Sequence, residues 1–259
     1  MYFILKIYIF IIGTVCGSFF NVCIYRIPEK QSVSNPPSHC PSCNTRLKPR
    51  DLIPVLSYIL SGRKCRYCKE KISSRYAIVE LLTGILFLIV FNEFDMDIST
   101  VYYLILTSIL IIITFIDIDH YIIPDELLII GSLFAVIFNA VFKIITLKES
   151  LLGAIICGGG VLALIYLIEF IVKKEVMGGG DIKLFAMIGL FLGVKYSLLA
   201  ALISVYVGAI FGIATIIHSK IKKTEFESMI PYGPFISIAT FIVMLYGNDI
   251  INWYMKLMQ

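Results

Sequence analysis

The stretch LILTSILIIITFIDIDHYIIPDE (residues 104–126) joins a long apolar run to a dense acidic cluster. With the residues just before it, this run is long enough to cross a bilayer, which takes about 20 mostly apolar residues in a helix. The run ends at Asp117, the deepest carboxylate of the cluster. Ionisable residues at membrane depth are costly and are therefore candidates for function. The stretch predicts a membrane-spanning helix that ends in a functional aspartate.

The same apolar character continues along the chain. Hydrophobic residues make up 59% of the 259 residues, and charged residues only 15%. Soluble domains contain about 25% charged residues, and a soluble core could not bury this much apolar surface. The expected fold is an all-α polytopic membrane protein with about eight transmembrane helices. The candidate spans are 3–25, 77–92, 100–117, 126–145, 150–172, 182–194, 196–217 and 233–254.

The distribution of basic residues predicts how the chain is oriented. Half of the 22 Lys and Arg residues lie in segment 26–75. With eight spans, this segment and two smaller basic groups fall on one side, which the positive-inside rule assigns to the cytoplasm. Both termini are then outside. The smaller groups are Lys173, Lys174 and Lys183, and Lys220, Lys222 and Lys223.

Three parts of the chain follow from this layout. Residues 1–25 form a first transmembrane helix, interpreted as retained rather than as a cleaved signal peptide because Lys6 lies inside the apolar run. Residues 26–75 form a cytoplasmic domain. Residues 76–259 form a membrane core with about seven transmembrane helices.

Four cysteines in the cytoplasmic segment form two C-x-x-C pairs, Cys40 with Cys43 and Cys65 with Cys68. Two such knuckles can build a tetrahedral site of four sulfurs, which suits zinc. A segment of about fifty residues also needs an added cross-link, such as a bound metal or disulfides, to fold stably. A disulfide framework is disfavoured in the reducing cytoplasm, while reduced, unligated or redox-active cysteines remain open. All four zinc positions would be filled by protein, so the metal would be structural.

A second motif, MGGGDIK (residues 177–183), precedes another apolar run. Glycines let the backbone adopt unusual angles and let a second chain segment approach closely. The motif places Asp181 at the start of a helix on the cytoplasmic side. By itself it is also compatible with a glycine linker that ends in a helix-capping aspartate.

Asp117 and Asp181 are predicted to reach the same face of the membrane from different helices. Two close carboxylates can share one proton, so that one activates a water molecule while the other donates to a carbonyl oxygen. A helix N-terminus favours an anion at Asp181, and an apolar run favours the neutral acid at Asp117. The sequence therefore predicts an aspartic protease site with Asp181 as the base and Asp117 as the proton carrier.

Other classes of function remain open at this point. A transporter or proton relay could use the same carboxylates, with the four-cysteine segment as a docking module, and a zinc-ribbon scaffold would need no chemistry. Acids near a membrane boundary favour a peptide cleft, and a scaffold leaves the glycine motif unexplained. Asp125 is interpreted mainly as a helix cap, and Asp119 as part of a solvated loop. The sequence contains no H-E-x-x-H, G-x-S-x-G or Walker A motif.

Taken in order, the motifs resemble those of the bacterial type IV prepilin peptidases (leader peptidase/N-methyltransferases), which are G-x-G-D aspartyl proteases. The resemblance covers nearly the whole chain. The matching segments are residues 17–22, 25–28, 39–43, 52–54, 57–58, 65–68 and 72–76, Asp117 with Pro124 and Asp125, and residues 178–181 with Lys183. Ala77 stands where the family commonly has proline, and Arg63 where it commonly has glycine.

The resemblance implies an intramembrane-type aspartyl protease of the bacterial cytoplasmic (inner) membrane. It would remove the basic leader of type IV prepilins or pseudopilins after a glycine on the cytoplasmic face, with Asp117 and Asp181 as the catalytic pair. Members with the cysteine domain commonly also methylate the new N-terminus with S-adenosylmethionine, so N-methylation is expected. The implied partners are the prepilin or pseudopilin and the lipid bilayer, with no nucleic acid. The residues expected to support the catalytic loop are Gly178, Gly180, Lys183 and Asp125.

Overall fold

The computed structural model describes residues 2–173, 177–222 and 230–258, and these residues are mostly helical, with no strand among them. The all-α membrane fold expected from the sequence is confirmed. Two compact units are present, Met1–Ile112 and Ile113–Gln259. The division at residues 25 and 75 stays a prediction. Lys174 and Lys223, which the charge pattern used, lie outside the described residues.

Nine α-helices are present in the described parts of the chain. They are α1 (Tyr2–Arg26), α2 (Leu56–Leu60), α3 (Ser74–Phe94), α4 (Ile98–His120), α5 (Asp125–Phe142), α6 (Leu147–Gly153), α7 (Gly159–Val172), α8 (Gly179–Lys222) and α9 (Gly233–Leu257). A π-helical turn, Ala154–Gly158, joins α6 and α7 into the single span Leu147–Val172. Within the described residues, seven helices are long and apolar enough to cross a membrane. A helix suits this setting because it satisfies its own backbone polar groups.

The count differs by one from the eight spans expected because of α8. The spans predicted at 182–194 and 196–217 belong to this one element, since the helix resumes directly after a break at Gly193. Gly193 has φ 71° and ψ −177°, a combination that only glycine adopts readily. The sequence placed the division at polar Lys195, whereas the backbone departs from helical geometry two residues earlier.

In the unit Met1–Ile112, α1 packs closely against α3. A Cβ added at Gly13 would lie 2.8 Å from Gly84 Cα, and one added at Gly17 would lie 2.7 Å from Glu80 Cα. Small residues at such positions let two membrane helices approach backbone to backbone. The close contact fixes the start of α3, which Ser73 caps by accepting the N–H of Arg75, relative to the end of α1.

In the unit Ile113–Gln259, α8 packs against the Leu147–Val172 span and carries a buried polar cluster. Asn139 Nδ2 donates to Ser150 Oγ at 3.2 Å, and both side chains donate to the Leu190 carbonyl, at 3.1 and 2.7 Å. Asn139 and Ser150 are 1% and 0% exposed. Carbonyls before a helix break need donors, and buried polar groups are costly when unpaired. The cluster therefore stabilises the helix on the N-terminal side of Gly193.

Gly189 is the point of closest approach between α8 and α6. A Cβ added there would fall on the Gly153 carbonyl, a backbone atom that cannot rotate away. We expect Gly189→Ala to lower the free energy of unfolding by about 1–3 kcal/mol, the usual cost of overpacking. Thermal unfolding in detergent measures this. Gly212→Ala is the matched control, because a Cβ there has no neighbour within 4 Å. Equal midpoints for the two variants would contradict the packing described.

Candidate active site

Asp117 lies in the last turn of α4 and is 5% exposed. The helix ends three residues later at His120, and the next residue, Tyr121, takes a left-handed conformation (φ 55°) and donates its N–H to the Asp117 carbonyl at 2.9 Å. The Asp117 side chain accepts a hydrogen bond from the backbone N–H of Gly233, with 2.8 Å between N and Oδ2. This buried carboxylate thus receives a donor from the first residue of α9.

Asp181 is the third residue of α8 and is 9% exposed. Its N–H donates to the Gly178 carbonyl at 3.1 Å, which closes the first turn around the glycines. Among these glycines, Gly180 makes the close approach, because a Cβ there would lie 3.0 Å from Ile123 Cβ. Ile123 belongs to the short connection between α4 and α5. The glycine at residue 180 therefore lets the start of α8 pack directly beside the end of α4.

Both aspartates line one cavity of about 480 Å³ in the unit Ile113–Gln259. Its wall is formed by the end of α4, the start of α5 and the glycine-rich start of α8. The sequence predicted that Asp117 and Asp181 would reach the same face, and both do line this cavity. The expected supporting residues also line it, namely Gly178, Gly180, Lys183 and Asp125.

An ion pair lies at the edge of this cavity. Lys183 Nζ donates to both carboxylate oxygens of Asp125, at 2.7 and 2.8 Å. Each side chain is 57% exposed. Pro124 is the N-cap residue of α5 and Asp125 its first residue, so the acidic side chain suits the helix N-terminus as expected. It also joins α5 to α8, a contact between distant segments that the cap interpretation did not include.

The backbone amide of Gly233 is a group that sequence reasoning missed. It is the first residue of α9 and is followed by Pro234, and the sequence marks only a helix start there. A Cβ added at Gly233 would lie 2.8 Å from Asp117 Oδ2. In the sequence, the only sign of this close approach was that a glycine, Gly233, precedes Pro234 at the helix start.

The four cysteines of the other unit form a cluster. Their Sγ atoms all lie within 4.8 Å of one another, and those of Cys40 and Cys68 are 3.9 Å apart. Tetrahedral zinc with Zn–S distances of about 2.3 Å places sulfurs about 3.8 Å apart, so the cluster fits the metal. Hydrogen bonding with Thr45 lowers the pKa of the Cys43 thiol to about 6, which favours the thiolate that a metal requires.

The two knuckles that carry these cysteines have the same backbone pattern. Cys40 N–H donates to Thr45 O at 3.0 Å, and Cys65 N–H donates to Glu70 O at 2.8 Å. Each knuckle turns through a residue with positive φ, Asn44 at 54° and Lys69 at 62°. This equivalence is typical of a paired-knuckle metal site and agrees with the spacing of the C-x-x-C pairs.

Asp51 links the two knuckles and was not singled out in the sequence. Its carboxylate accepts the Lys48 N–H at 3.1 Å and the Tyr67 hydroxyl at 2.9 Å, and Arg66 Nε lies 3.2 Å from it. Burial raises the pKa of Asp51, but these hydrogen bonds and the Arg66 charge outweigh burial and hold the pKa below its usual value. Asp51 therefore ties residues of the second knuckle to the segment that follows the first.

Fold and site together define a class of protein. The chain is a multi-pass membrane protein with two buried aspartates on one cavity and a separate four-cysteine cluster. The profile of the type IV leader peptidase family matches residues 104–213, and that of the bacterial peptidase A24 N-terminal domain matches residues 11–94. The chain belongs to the type IV leader peptidase family.

Curated relatives match nearly end to end. A prepilin leader peptidase/N-methyltransferase of Bacillus subtilis (strain 168) is 34% identical over 96% of this chain and 97% of its own length. A protein of the same name from Pseudomonas aeruginosa is 32% identical over 95% of this chain and 92% of its own length. One from Legionella pneumophila is 33% identical over 92% of this chain and 90% of its own length. No solved structure matches the chain significantly.

Proposed function

We propose that this protein removes the leader of type IV prepilins or pseudopilins and then N-methylates the new N-terminus. The observation that carries the peptidase assignment is the convergence of Asp117 and Asp181 on one cavity, in a chain of the leader peptidase family. The relatives bear the name of both activities. A transporter or proton relay has no support among them. Cleavage after a glycine comes from the family resemblance.

The two aspartates differ in their surroundings, and this difference supports a division of roles. A hydrogen bond to a charged group contributes about 1.5–3 kcal/mol, whereas a helix N-terminus contributes about 0.3–1 kcal/mol to an exposed anion and at most about 2 kcal/mol to a partly buried one. The Gly233 N–H on Asp117 therefore outweighs the helix start at Asp181. The Gly178 backbone also interacts with the Asp181 carboxylate, but within the described part of the chain the Gly233 N–H is the donor that reaches one of these two carboxylates at 2.8 Å. This favours Asp117 as the base and Asp181 as the proton carrier, the reverse of the sequence expectation.

Peptide hydrolysis follows from these roles. The Asp117 carboxylate takes a proton from a water molecule as the water oxygen attacks the scissile carbonyl carbon. Asp181 donates its proton to the carbonyl oxygen, so that negative charge does not build up there. When the C–N bond breaks, the proton held by Asp117 goes to the leaving nitrogen. The carbonyl oxygen returns its proton to Asp181 as the leader carboxyl group forms, which restores the starting state.

The four-cysteine cluster is proposed to hold one structural zinc ion through Cys40, Cys43, Cys65 and Cys68. All four coordination positions come from protein, so the metal would stabilise the module rather than bind substrate. S-adenosylmethionine is proposed as the methyl donor because of the family resemblance and the relatives' name. Segment 26–75 is proposed to be a cytoplasmic domain that serves methylation.

The membrane-competent helices and the membership of the leader peptidase family support a multi-pass protein of the inner membrane. The charge pattern supports the finer proposal that the aspartate cavity faces the cytoplasm and that both termini lie outside, which requires the two segments of α8 that meet at the Gly193 kink to cross the bilayer separately. The proposed partners are prepilins or pseudopilins with basic leaders, and the lipid bilayer.

Co-expression tests the proposed function. The chain is produced in a host without such an enzyme, together with a prepilin that carries a basic leader, and the prepilin N-terminus is analysed by mass spectrometry. We expect a truncated prepilin with one added methyl group. An intact leader on membrane-inserted prepilin would exclude the peptidase, and a truncated but unmethylated product would exclude the second activity.

The Lys183–Asp125 pair supplies a further prediction. Exposed ion pairs contribute only about 0–1 kcal/mol to stability, so Lys183→Met should leave thermal unfolding nearly unchanged. Since the pair joins the helix starts that border the cavity, we expect a loss of about 5- to 10-fold in the rate of leader removal, or roughly 1 kcal/mol in the barrier.

Two variants sharpen this test. The charge swap Asp125→Lys/Lys183→Asp should recover part of the rate, because it restores the pair with opposite polarity. Lys195→Met is the control, since Lys195 also lies on α8 and is exposed but does not line the cavity. A Lys183→Met variant as active as the control would contradict a positioning role.

A further inference from the structure

A second cavity lies in the unit Met1–Ile112 and shares no lining residue with the aspartate cavity. It has a volume of about 540 Å³, and cavities that bind small molecules typically measure about 300–1,000 Å³. Its wall is formed by the end of α1, both cysteine knuckles and the start of α3. The wall combines apolar surface with several hydroxyl groups.

Glu80 is the buried carboxylate of this cavity. It lies in the second turn of α3 and is 8% exposed. The Val55 N–H donates to Glu80 Oε2 at 2.7 Å, and the Ser18 side chain also hydrogen-bonds the carboxylate. Within the described residues, these partners are neutral, and no basic side chain pairs with Glu80. A buried carboxylate without a cation is costly, so this site suits a cationic ligand.

Arg26, the buried basic residue of the same wall, does not fill that role. Its guanidinium donates to the carbonyl oxygens of Ser32 and Pro36, at 2.9 and 2.7 Å. Asn21 likewise donates to the Tyr76 carbonyl at 3.0 Å. These contacts fix the wall of the cavity, and the carboxylate of Glu80 remains available for a positive charge from outside the chain.

The chemistry of N-methylation provides such a charge. Removal of a leader creates an α-amino group, whose ordinary pKa of about 7.7–8.0 makes it largely cationic at neutral pH. We propose that this cavity receives the new N-terminus, and that Glu80 pairs with its α-ammonium group and accepts the proton that must leave before methyl transfer. The proposal rests on the methyltransferase activity given above and names its site.

The Glu80 carboxylate accepts one proton from the α-ammonium group, which frees the nitrogen lone pair. The amine nitrogen then bonds the methyl carbon of a sulfonium donor while the C–S bond breaks, and its electron pair stays on sulfur. The products are a methylated ammonium group and a neutral thioether, and the proton on Glu80 passes to water.

The test uses the full-length protein in lipid nanodiscs with two substrates: an intact prepilin, and a processed peptide with a free N-terminus. Glu80→Gln keeps the size and an oxygen that can accept the Val55 N–H, but it removes the charge. We expect methylation of the processed peptide to fall by about 10²- to 10⁴-fold, the range for loss of a general base. Leader removal from intact prepilin should stay within about twofold, since Glu80 does not line the aspartate cavity.

Binding gives a readout that does not depend on turnover. The affinity for the processed peptide should fall about tenfold in Glu80→Gln, whereas the affinity for S-adenosylhomocysteine should not change. N-acetylation of the peptide, which removes its charge, should weaken binding to the wild type but not to the variant. Glu93→Gln is the matched control, because Glu93 is an exposed carboxylate on the same helix.

The outcomes separate this proposal from a structural role and from the proposed function itself. Normal methylation by Glu80→Gln would overturn it. Loss of methylation together with loss of bound zinc would also overturn it, because Glu80 would then only hold the module through Val55. A wild-type protein that removes no leader and transfers no methyl group would refute the proposed function instead.

Discussion

Changing either Asp117 or Asp181 to asparagine is expected to reduce leader removal by about 10³-fold or more. Each substitution keeps the size of the side chain but removes a group that must bind and release a proton, and such groups contribute about 10²–10⁴-fold each. Both residues line the same cavity, so either loss stops the shared proton transfer. The measurement is the initial rate of leader release from purified prepilin.

Asp119→Asn is the control for this prediction. Asp119 lies two residues after Asp117 in the same helix turn, but its side chain is exposed and does not line the cavity. The rate of leader removal by Asp119→Asn should stay within about threefold of the wild-type rate. Both active-site variants should still methylate a peptide that already has a free N-terminus. Leader removal by Asp117→Asn or Asp181→Asn at the rate of the control would remove that residue from the mechanism.

Changing one cluster cysteine, as in Cys65→Ser, is expected to abolish zinc binding and methyl transfer together. Structural zinc contributes about 10–16 kcal/mol to small zinc-finger peptides, far more than a module of this size derives from its core. Cys65 is 4% exposed within the cluster, where serine cannot replace the thiolate. Metal content by mass spectrometry and limited proteolysis of segment 26–75 measure the effect.

Leader removal should survive this change within about threefold, because Asp117, Asp181 and Gly233 belong to the other unit. Cys16→Ser is the matched control, since Cys16 is a free cysteine of α1 outside the cluster. It should keep stoichiometric zinc and both activities. A Cys65→Ser protein that retains zinc would contradict the four-cysteine assignment.

Much of the fold was predictable because hydropathy is a local property of the sequence. The run before Asp117 marks a span by its composition alone, and the C-x-x-C pairs mark a metal site by spacing alone. The break at Gly193 was harder to predict, because a glycine in an apolar run does not reveal its backbone angles. The hydropathy pattern instead put the boundary between the two predicted spans at Lys195, where a charged residue interrupts the apolar run.

Contacts between distant segments were the part that the sequence could not supply. The hydrogen bond from Gly233 to Asp117 joins residues more than a hundred positions apart, and it is the reason we propose roles for the two aspartates that are the reverse of those expected from the sequence. Glu80 was not singled out in the sequence, because its position beside Val55 in a cavity depends on contacts between distant segments. Asp51 was likewise not singled out, because its contact with Tyr67 of the second knuckle is not visible in the sequence.

The central claim is that this chain, acting alone, cleaves a prepilin with its two aspartates. The most direct measurement is the mass of purified prepilin after incubation with the purified protein in lipid nanodiscs. We predict that the wild type removes the leader completely without any methyl donor. The Asp117→Asn variant, with the same thermal stability and zinc content as the wild type, should leave the prepilin intact. An intact prepilin after incubation with folded wild-type protein, or leader loss caused by the variant, would contradict the account.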